Sequence, residues 1–232
     1  MFGGLGGNIF NVAAAGRRFV SIALTGMFAG VYVGVDIVAG ATPLDALKGG
    51  MGFPSVLNSY PIIDLFTGNI PGTMGEVSAI AILIGLIYLL IRRTADYRLV
   101  LSTAITFISL ITLIGLKLYP TQWMEFLLYN LFSGGLLFGL TFMITDPVTA
   151  PLTRPGRWLY GLLIGSLIVL IRTFGAYAEG VAAALLFANM FVPLIDYPKW
   201  STNVIKPKFV IGYVVILVLM GVVVYFGVGG AV

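Results

Sequence analysis

The sequence predicts an all-α polytopic membrane protein, and three observations carry that reading. Only 9% of the 232 residues are charged and 59% are hydrophobic. Mean hydropathy is +1.04, whereas a soluble domain of this length needs a far more polar surface. The apolar residues also fall in continuous runs rather than in alternation, the pattern of spanning helices of about 17–25 residues and not of a barrel. Candidate runs lie at about 19–35, 77–91, 99–116, 126–145, 158–171, 178–195 and 209–227. The expected count is therefore about six to seven transmembrane helices. The second and fifth runs are short, which points to spans longer than their apolar runs or to partial penetration.

Taken in order, the chain opens with Gly3-Gly4-Leu5-Gly6-Gly7-Asn8-Ile9-Phe10-Asn11. The glycines permit close backbone approach, and on a helical turn Asn8 and Asn11 share one face. Their amides both donate and accept, so they can read the edge of a heteroaromatic ring, or simply cap the helix that follows. After the first run comes a polar and small segment, Asp36 to Gly50. Thr42 is a good N-cap, Pro43 suits the first helical position, and Asp45 completes a capping-box-like pattern. Leu44 and Leu47 give one apolar face, Lys48 sits in the last turn and Gly49 is the stop. Such a helix start favours an anion, such as a phosphate on the Thr42 hydroxyl, although Asp45 competes for the same donors. The rest of the long connection, 36–76, reads as Gly- and Pro-rich chain through Pro54, Pro61 and Pro71. Residues 1–232 read as one membrane domain with no visible repeat.

The basic residues orient the bundle. With a cytoplasmic N-terminus and seven crossings, the inner ends hold Arg17, Arg18, Arg92, Arg93, Arg98, Arg154, Arg157, Lys199, Lys206 and Lys208. The outer ends hold Lys48, Lys117 and Arg172. That is a positive-inside pattern, and it puts the Thr42 loop outside. The net charge of +4 expresses this bias and implies no nucleic-acid partner. The opening residues carry no basic n-region of a signal peptide. Without cysteine or histidine the chain offers no disulfide, thiolate cluster ligand or His-ligated haem, so any redox chemistry needs an organic cofactor.

Acidic residues near apolar runs cost roughly 2.5–3.5 kcal/mol at the bilayer centre, so they tend to have a use. Glu125, Asp146, Glu179 and Asp196 are candidates for a cation path, with interfacial anchoring or helix capping as the plainer role. Asp146-Pro147 in particular reads as a cap followed by a first helical position. Arg172 can pair with Glu179 across a short turn. Tyr60, Tyr119, Trp123, Tyr160, Tyr197 and Trp200 are expected at the interfaces, as an aromatic belt.

Several elements carry a family resemblance. Asp36-x-x-Ala39-Gly40-Ala41-Thr42 followed by Pro43-Leu44 resembles the flavin-attachment motif of the NqrB/RnfD family, with Ala39 where Ser is usual. The opening glycine-rich element resembles the family's GGxGxNxFN. Leu65 to Glu76 matches a further stretch, and Met143 to Thr149, Ile171 to Gly180 and Pro193 to Asp196 resemble FMATDPVT, IRTYGGYPEG and APLIDR. The order is kept throughout, and residues 1–232 correspond to the second half, and a little more, of the usual family length.

The resemblance implies a fold related to urea-type transporters. It implies FMN joined through a phosphoester to Thr42 on the outer face, with Asp36, Gly40 and Ala41 as the surrounding motif, installed by a flavin transferase. A second, non-covalent flavin (riboflavin) is implied near Asn8 and Asn11; the ion path expected at Asp146, Glu179 and Asp196 rests instead on the cost of acidic residues near apolar runs. The expected role is a subunit, inactive alone, of an ion-translocating oxidoreductase in a prokaryotic cell membrane. It passes electrons with coupled Na⁺ or H⁺ movement beside other membrane and peripheral subunits. ATPLDALKGG resembles the Rnf form, so a ferredoxin–NAD oxidoreductase complex is the first expectation. An NqrB-type subunit of a sodium-pumping NADH–quinone reductase is the alternative. A solute channel of related fold, which has no reason to keep Asp36 and Gly40-Ala41-Thr42, and a scaffold without flavin, suggested by Ala39, are the rivals.

Overall fold

The computed structural model describes residues 8–23, 43–48, 52–70, 77–175, 180–198 and 202–228, and every regular element among them is helical. The first four are α1 (Val12–Ala23), α2 (Pro43–Lys48), α3 (Phe53–Ser59) and α4 (Ile62–Thr67). There follow α5 (Ala79–Ile91), α6 (Tyr97–Leu118), α7 (Trp123–Phe132) and α8 (Leu136–Met143), whose second part is π-helical. The chain continues through α9 (Arg154–Phe174), α10 (Val181–Asn189), α11 (Val192–Ile195) and α12 (Pro207–Val228).

The long helices α6, α9 and α12, of 22, 21 and 22 residues, are apolar and long enough to cross a membrane. At about 1.5 Å per residue each spans about 32 Å, close to the hydrocarbon thickness. Their starts follow from local chemistry. Asp96 caps α6 by accepting from the Arg98 amide at 2.8 Å. Thr153 caps α9 by accepting from Gly156 at 3.2 Å, with Pro155 in the first turn.

These three helices run parallel and in register. Gly161 and Gly165 of α9 let it approach α6 closely: a Cβ at Gly161 would lie 2.6 Å from Ser102 Cβ, and one at Gly165 2.9 Å from the Thr103 carbonyl. Small residues four apart are the usual device for close helix contact in lipid. Ser102 donates to the Trp158 carbonyl, and the Tyr213 hydroxyl of α12 lies 3.0 Å from Ser102 Oγ. At the other end Gly221 of α12 faces Leu113, and Gly227 faces Phe174. Lys117 donates to the Tyr225 carbonyl, with its ammonium 4.3 Å from that ring centre.

The shared starting end holds Arg92, Arg93, Arg98, Arg154, Arg157, Lys206 and Lys208. There Asp96 pairs with Arg98 at 3.3 Å and with Arg157, tying the α5–α6 turn to α9. Lys117 and Arg172 stand at the opposite ends of their helices. The three long helices therefore run in the same relative direction that the basic-residue count requires of them.

Two elements run back between the parallel helices. One is α7 with α8, bent by 58°. The break is Ser133-Gly134-Gly135, where Gly134 has φ 70°, a conformation glycine adopts without strain. The other is α10 with α11. Gly180 packs on Ile171, while Asn189 reaches Tyr160 near the start of α9.

Several expectations need correction. The run at 126–145 is a bent pair of helices, and the described part of the run at 178–195 holds two short helices with a turn between. The run at 158–171 extends over 154–174, since the Thr153 cap and Pro155 start the helix ahead of its apolar stretch. Of the run at 19–35 only 19–23 is described, as the end of α1, which begins at Val12 after the Asn11 cap and so includes Arg17 and Arg18; 24–35 lie outside the described residues. Asn8 and Asn11 do not share a helical turn, since residues 8–10 precede the helix. The connection after Lys48 is not simply loop: Phe53, Val56 and Leu65 are fully buried. Phe53 sits 5.2–5.7 Å from the rings of Tyr119, Phe126 and Tyr129. Tyr160 is fully buried rather than interfacial, because its hydroxyl finds Asn189 inside the bundle.

Candidate functional site

Two regions gather the polar chemistry, one at each end of the bundle. At the arginine-rich end, Asn11 reaches Asp146 across 135 residues of sequence. Its Nδ2 donates to Asp146 Oδ2 at 3.2 Å, while its Oδ1 accepts from the Ala14 amide at 3.0 Å. Asp146 Oδ2 also accepts from Thr149 Oγ1 at 3.0 Å, and Oδ1 from the Val148 amide at 3.1 Å. The expected helix after Asp146-Pro147 is absent. The carboxylate instead holds a turn, closed by the Ala150 amide on the Asp146 carbonyl at 3.2 Å. The cap of α9 is Thr153, seven positions later.

Asp196 closes the same segment from the other side. Its Oδ2 accepts from the Leu152 amide at 2.7 Å, and its Oδ1 from the Thr153 hydroxyl at 2.8 Å. Deeper in, the Tyr160 hydroxyl donates to Asn189 Oδ1, and both residues are fully buried. Two of the residues expected on an ion path, Asp146 and Asp196, thus hold the two ends of residues 146–153.

At the opposite end of α9 lies α2, the six-residue helix that follows Thr42. Pro43 and Leu44 are buried. The Tyr129 hydroxyl of α7 donates to the Pro43 carbonyl at 3.2 Å. Lys48 donates to the carbonyls of Ile171, at 3.3 Å, and Gly175. Asp36, Gly40, Ala41, Thr42 and Glu179 lie outside the described residues, and with them the attachment motif and the expected Arg172–Glu179 pairing.

Arg172 is a functional-looking residue whose role was not readable from its surroundings in the chain. It is only 6% exposed. Its guanidinium donates to the Asn130 carbonyl at 2.7 Å and the Ser133 carbonyl at 3.3 Å, and lies 5.2 Å from the Phe107 ring centre. It therefore satisfies the carbonyls released where α7 breaks, a burden that backbone in a dry bundle must shed. An arginine at the end of an apolar run was the available signal; its partners, about 40 residues earlier, were not. Glu125, in the first turn of α7, is half-buried, and its Oε2 is shielded with no hydrogen-bond partner among the described residues.

A model of the NQR2, RnfD, RnfE family matches residues 1–225. The NqrB subunit of the Na(+)-translocating NADH-quinone reductase from Klebsiella pneumoniae (strain 342) is 43% identical over 218 residues, covering 90% of this chain and 53% of that protein. The NqrB subunit of Haemophilus influenzae (strain PittEE) is 41% identical over 214 residues, covering 88% and 52%. That of Yersinia pestis is 40% identical over 218 residues, covering 90% and 52%. The chain spans about half the length of these relatives.

Proposed function

The chain belongs to the NQR2, RnfD, RnfE family, and on that premise we propose that it serves as a flavin-carrying membrane subunit of an ion-translocating oxidoreductase of the NADH–quinone reductase type. The observation that carries the choice of branch is the likeness to the NqrB subunit of that reductase in three genera. It outweighs the Rnf-like form of ATPLDALKGG, so the ferredoxin–NAD oxidoreductase becomes the second reading.

In this reading Thr42 carries FMN by a phosphoester, within the motif of Asp36, Gly40 and Ala41. Bound flavin supplies the one- and two-electron chemistry that this chain, without cysteine or histidine, lacks. The residues next to Thr42 suit the task, because Pro43 and Leu44 are buried and α2 is held against α7 and α9. That support lies at the end opposite the arginine cluster, which agrees with an outer-face attachment.

Near the arginine-rich end, the Asn11 amide spends one N–H on Asp146 and one lone pair on Ala14. Among the described residues no further partner takes its second N–H or second lone pair, so riboflavin at Asn8 and Asn11 is compatible with this arrangement. Asp146, Glu179 and Asp196 are proposed as cation-path residues. At Asp146 a cation has to share a carboxylate that already accepts from Asn11, Thr149 and Val148. The partners are the other subunits of the complex and a flavin transferase, in a prokaryotic cell membrane.

The test is expression with partner subunits and transferase, followed by in-gel flavin fluorescence under denaturing conditions. Fluorescence present in wild type and lost in Thr42→Val is expected. Sodium-stimulated quinone reduction by NADH in the same membranes supports the reductase branch, and ferredoxin-dependent NAD reduction supports the Rnf branch. Wild-type protein without fluorescence would sink the flavin reading.

A further inference from the structure

We propose that Lys48 and Tyr129 are positioning residues that fix the attachment point of the Thr42-linked flavin, an inference that rests on the flavin reading above. A helix of six residues has no stability of its own; helices shorter than about 12–15 residues are marginal in water. Its order comes from what it packs on and binds: Pro43 and Leu44 are buried, and a hydrogen-bonding anchor stands at each end. At its start, the Tyr129 hydroxyl donates to the carbonyl of Pro43, the residue bonded to Thr42. Tyr129 is itself fully buried and packed edge-on against Phe53. At its finish, the Lys48 ammonium donates to the Ile171 and Gly175 carbonyls, which close the C-terminal end of the 21-residue α9.

That second contact suits both partners. The last carbonyls of a helix lack intrahelical donors, and the helix end carries partial negative charge. The Ile171 carbonyl already accepts from the Gly175 amide at 2.9 Å, so Lys48 adds a second donor there, supplies one to the Gly175 carbonyl, and brings the positive charge. The backbone leaves room for it: a Cβ at Gly175 would stand 2.6 Å from the Ile171 carbonyl oxygen, the atom Lys48 also uses. A side chain at 175 would crowd the seat. The two anchors belong to different elements, α7 and α9, so α2 bridges them and transmits their placement to the neighbouring Thr42.

The experiment uses the assembled complex in nanodiscs, with Lys48→Met, Lys48→Arg and Tyr129→Phe variants that retain in-gel flavin fluorescence. Two quantities are measured: steady-state anisotropy of the flavin, and hydrogen exchange of the Leu44–Lys48 amides. Lys48→Met and Tyr129→Phe are each expected to lower the anisotropy and to speed exchange in that segment by about 10-fold. The latter corresponds to loss of a contact of about 1.4 kcal/mol. Lys48→Arg, which keeps charge and reach, is expected to restore both. Wild-type anisotropy and exchange in Lys48→Met and Tyr129→Phe, with flavin attached, would overturn the clamp and leave the flavin reading standing. Absence of flavin from the wild type would overturn both.

Discussion

Replacing Arg172 with methionine isolates the burden carried by the broken span. The side chain keeps most of its apolar stem but loses the guanidinium that donates to the Asn130 and Ser133 carbonyls, at 2.7 and 3.3 Å. Hydrogen bonds from a charged donor are worth about 1.5–3 kcal/mol each, and the longer one belongs at the low end. With the Phe107 contact added, the expected loss is about 3–5 kcal/mol. For a chain of this size each kcal/mol moves the melting temperature by about 2–4 °C, so a fall of roughly 6–20 °C follows. Arg172→Lys keeps the charge but not the planar fork that serves two carbonyls, and should recover about half. Melting in detergent or nanodiscs reads the effect. Because the chain has no cysteine, a thiol label introduced at the α7–α8 break would report local opening without background. A shift under about 3 °C in Arg172→Met, or full recovery in Arg172→Lys, would refute the idea that the guanidinium caps the break.

Five further substitutions, Gly212→Val and Asn11→Ser among them as controls, test the packing and the polar contacts. Gly161→Val drives atoms into Ser102 and the Thr103 backbone, and should cost about 1–3 kcal/mol in melting experiments; Gly212→Val, at a position open to the outside, should stay within about 0.5 kcal/mol. Asn11→Ala removes a helix cap and a donor to Asp146, for a loss of about 1–2 kcal/mol, whereas Asn11→Ser keeps the cap alone and should recover about half; equal losses in the two would mean the cap contributes nothing. Asp96→Asn weakens pairs with Arg98 and Arg157 that are only partly buried, so melting should fall by the equivalent of at most about 1 kcal/mol, and less at high salt.

The long helices were legible because length and continuous apolarity are properties of local sequence, and the basic residues then oriented them. The helix starts were partly legible. Pro43 announced the short helix, but Asp146-Pro147 misled, since the same residue types also build a turn and the choice depends on Asn11 arriving from elsewhere. The breaks were harder. Ser133-Gly134-Gly135 permits a bend without demanding one, and what stabilises it is Arg172, about 40 residues on. Gly161 and Gly165 carried a readable close-packing spacing that composition alone does not reveal. Tyr160 looked like a belt residue because its position near a run end was known and its partner Asn189 was not.

The irregular elements fall where the topology requires returns. Since α6, α9 and α12 start at one end, the chain must come back twice between them, and both returns are made by interrupted helices: α7 with α8, then α10 with α11. An interruption exposes carbonyls and amides that lipid cannot satisfy, so it persists only where protein groups meet them. Arg172 does so at the first. Each return then finishes at a carboxylate, Asp146 or Asp196, and these two hold opposite ends of residues 146–153 ahead of α9. Interrupted helices in lipid are where transporters place ion sites, because loose backbone and half-helix ends supply ligands that a regular helix withholds. The same strip of chain therefore closes both returns and presents both acids, so movement of either return would be felt at both carboxylates. A substitution such as Thr149→Val, which removes one donor to Asp146 and touches no part of Asp196, separates the two. If the strip acts as a unit, exchange at the Leu152 and Thr153 amides should quicken along with that at Val148; if only Val148 responds, the two acids are independent.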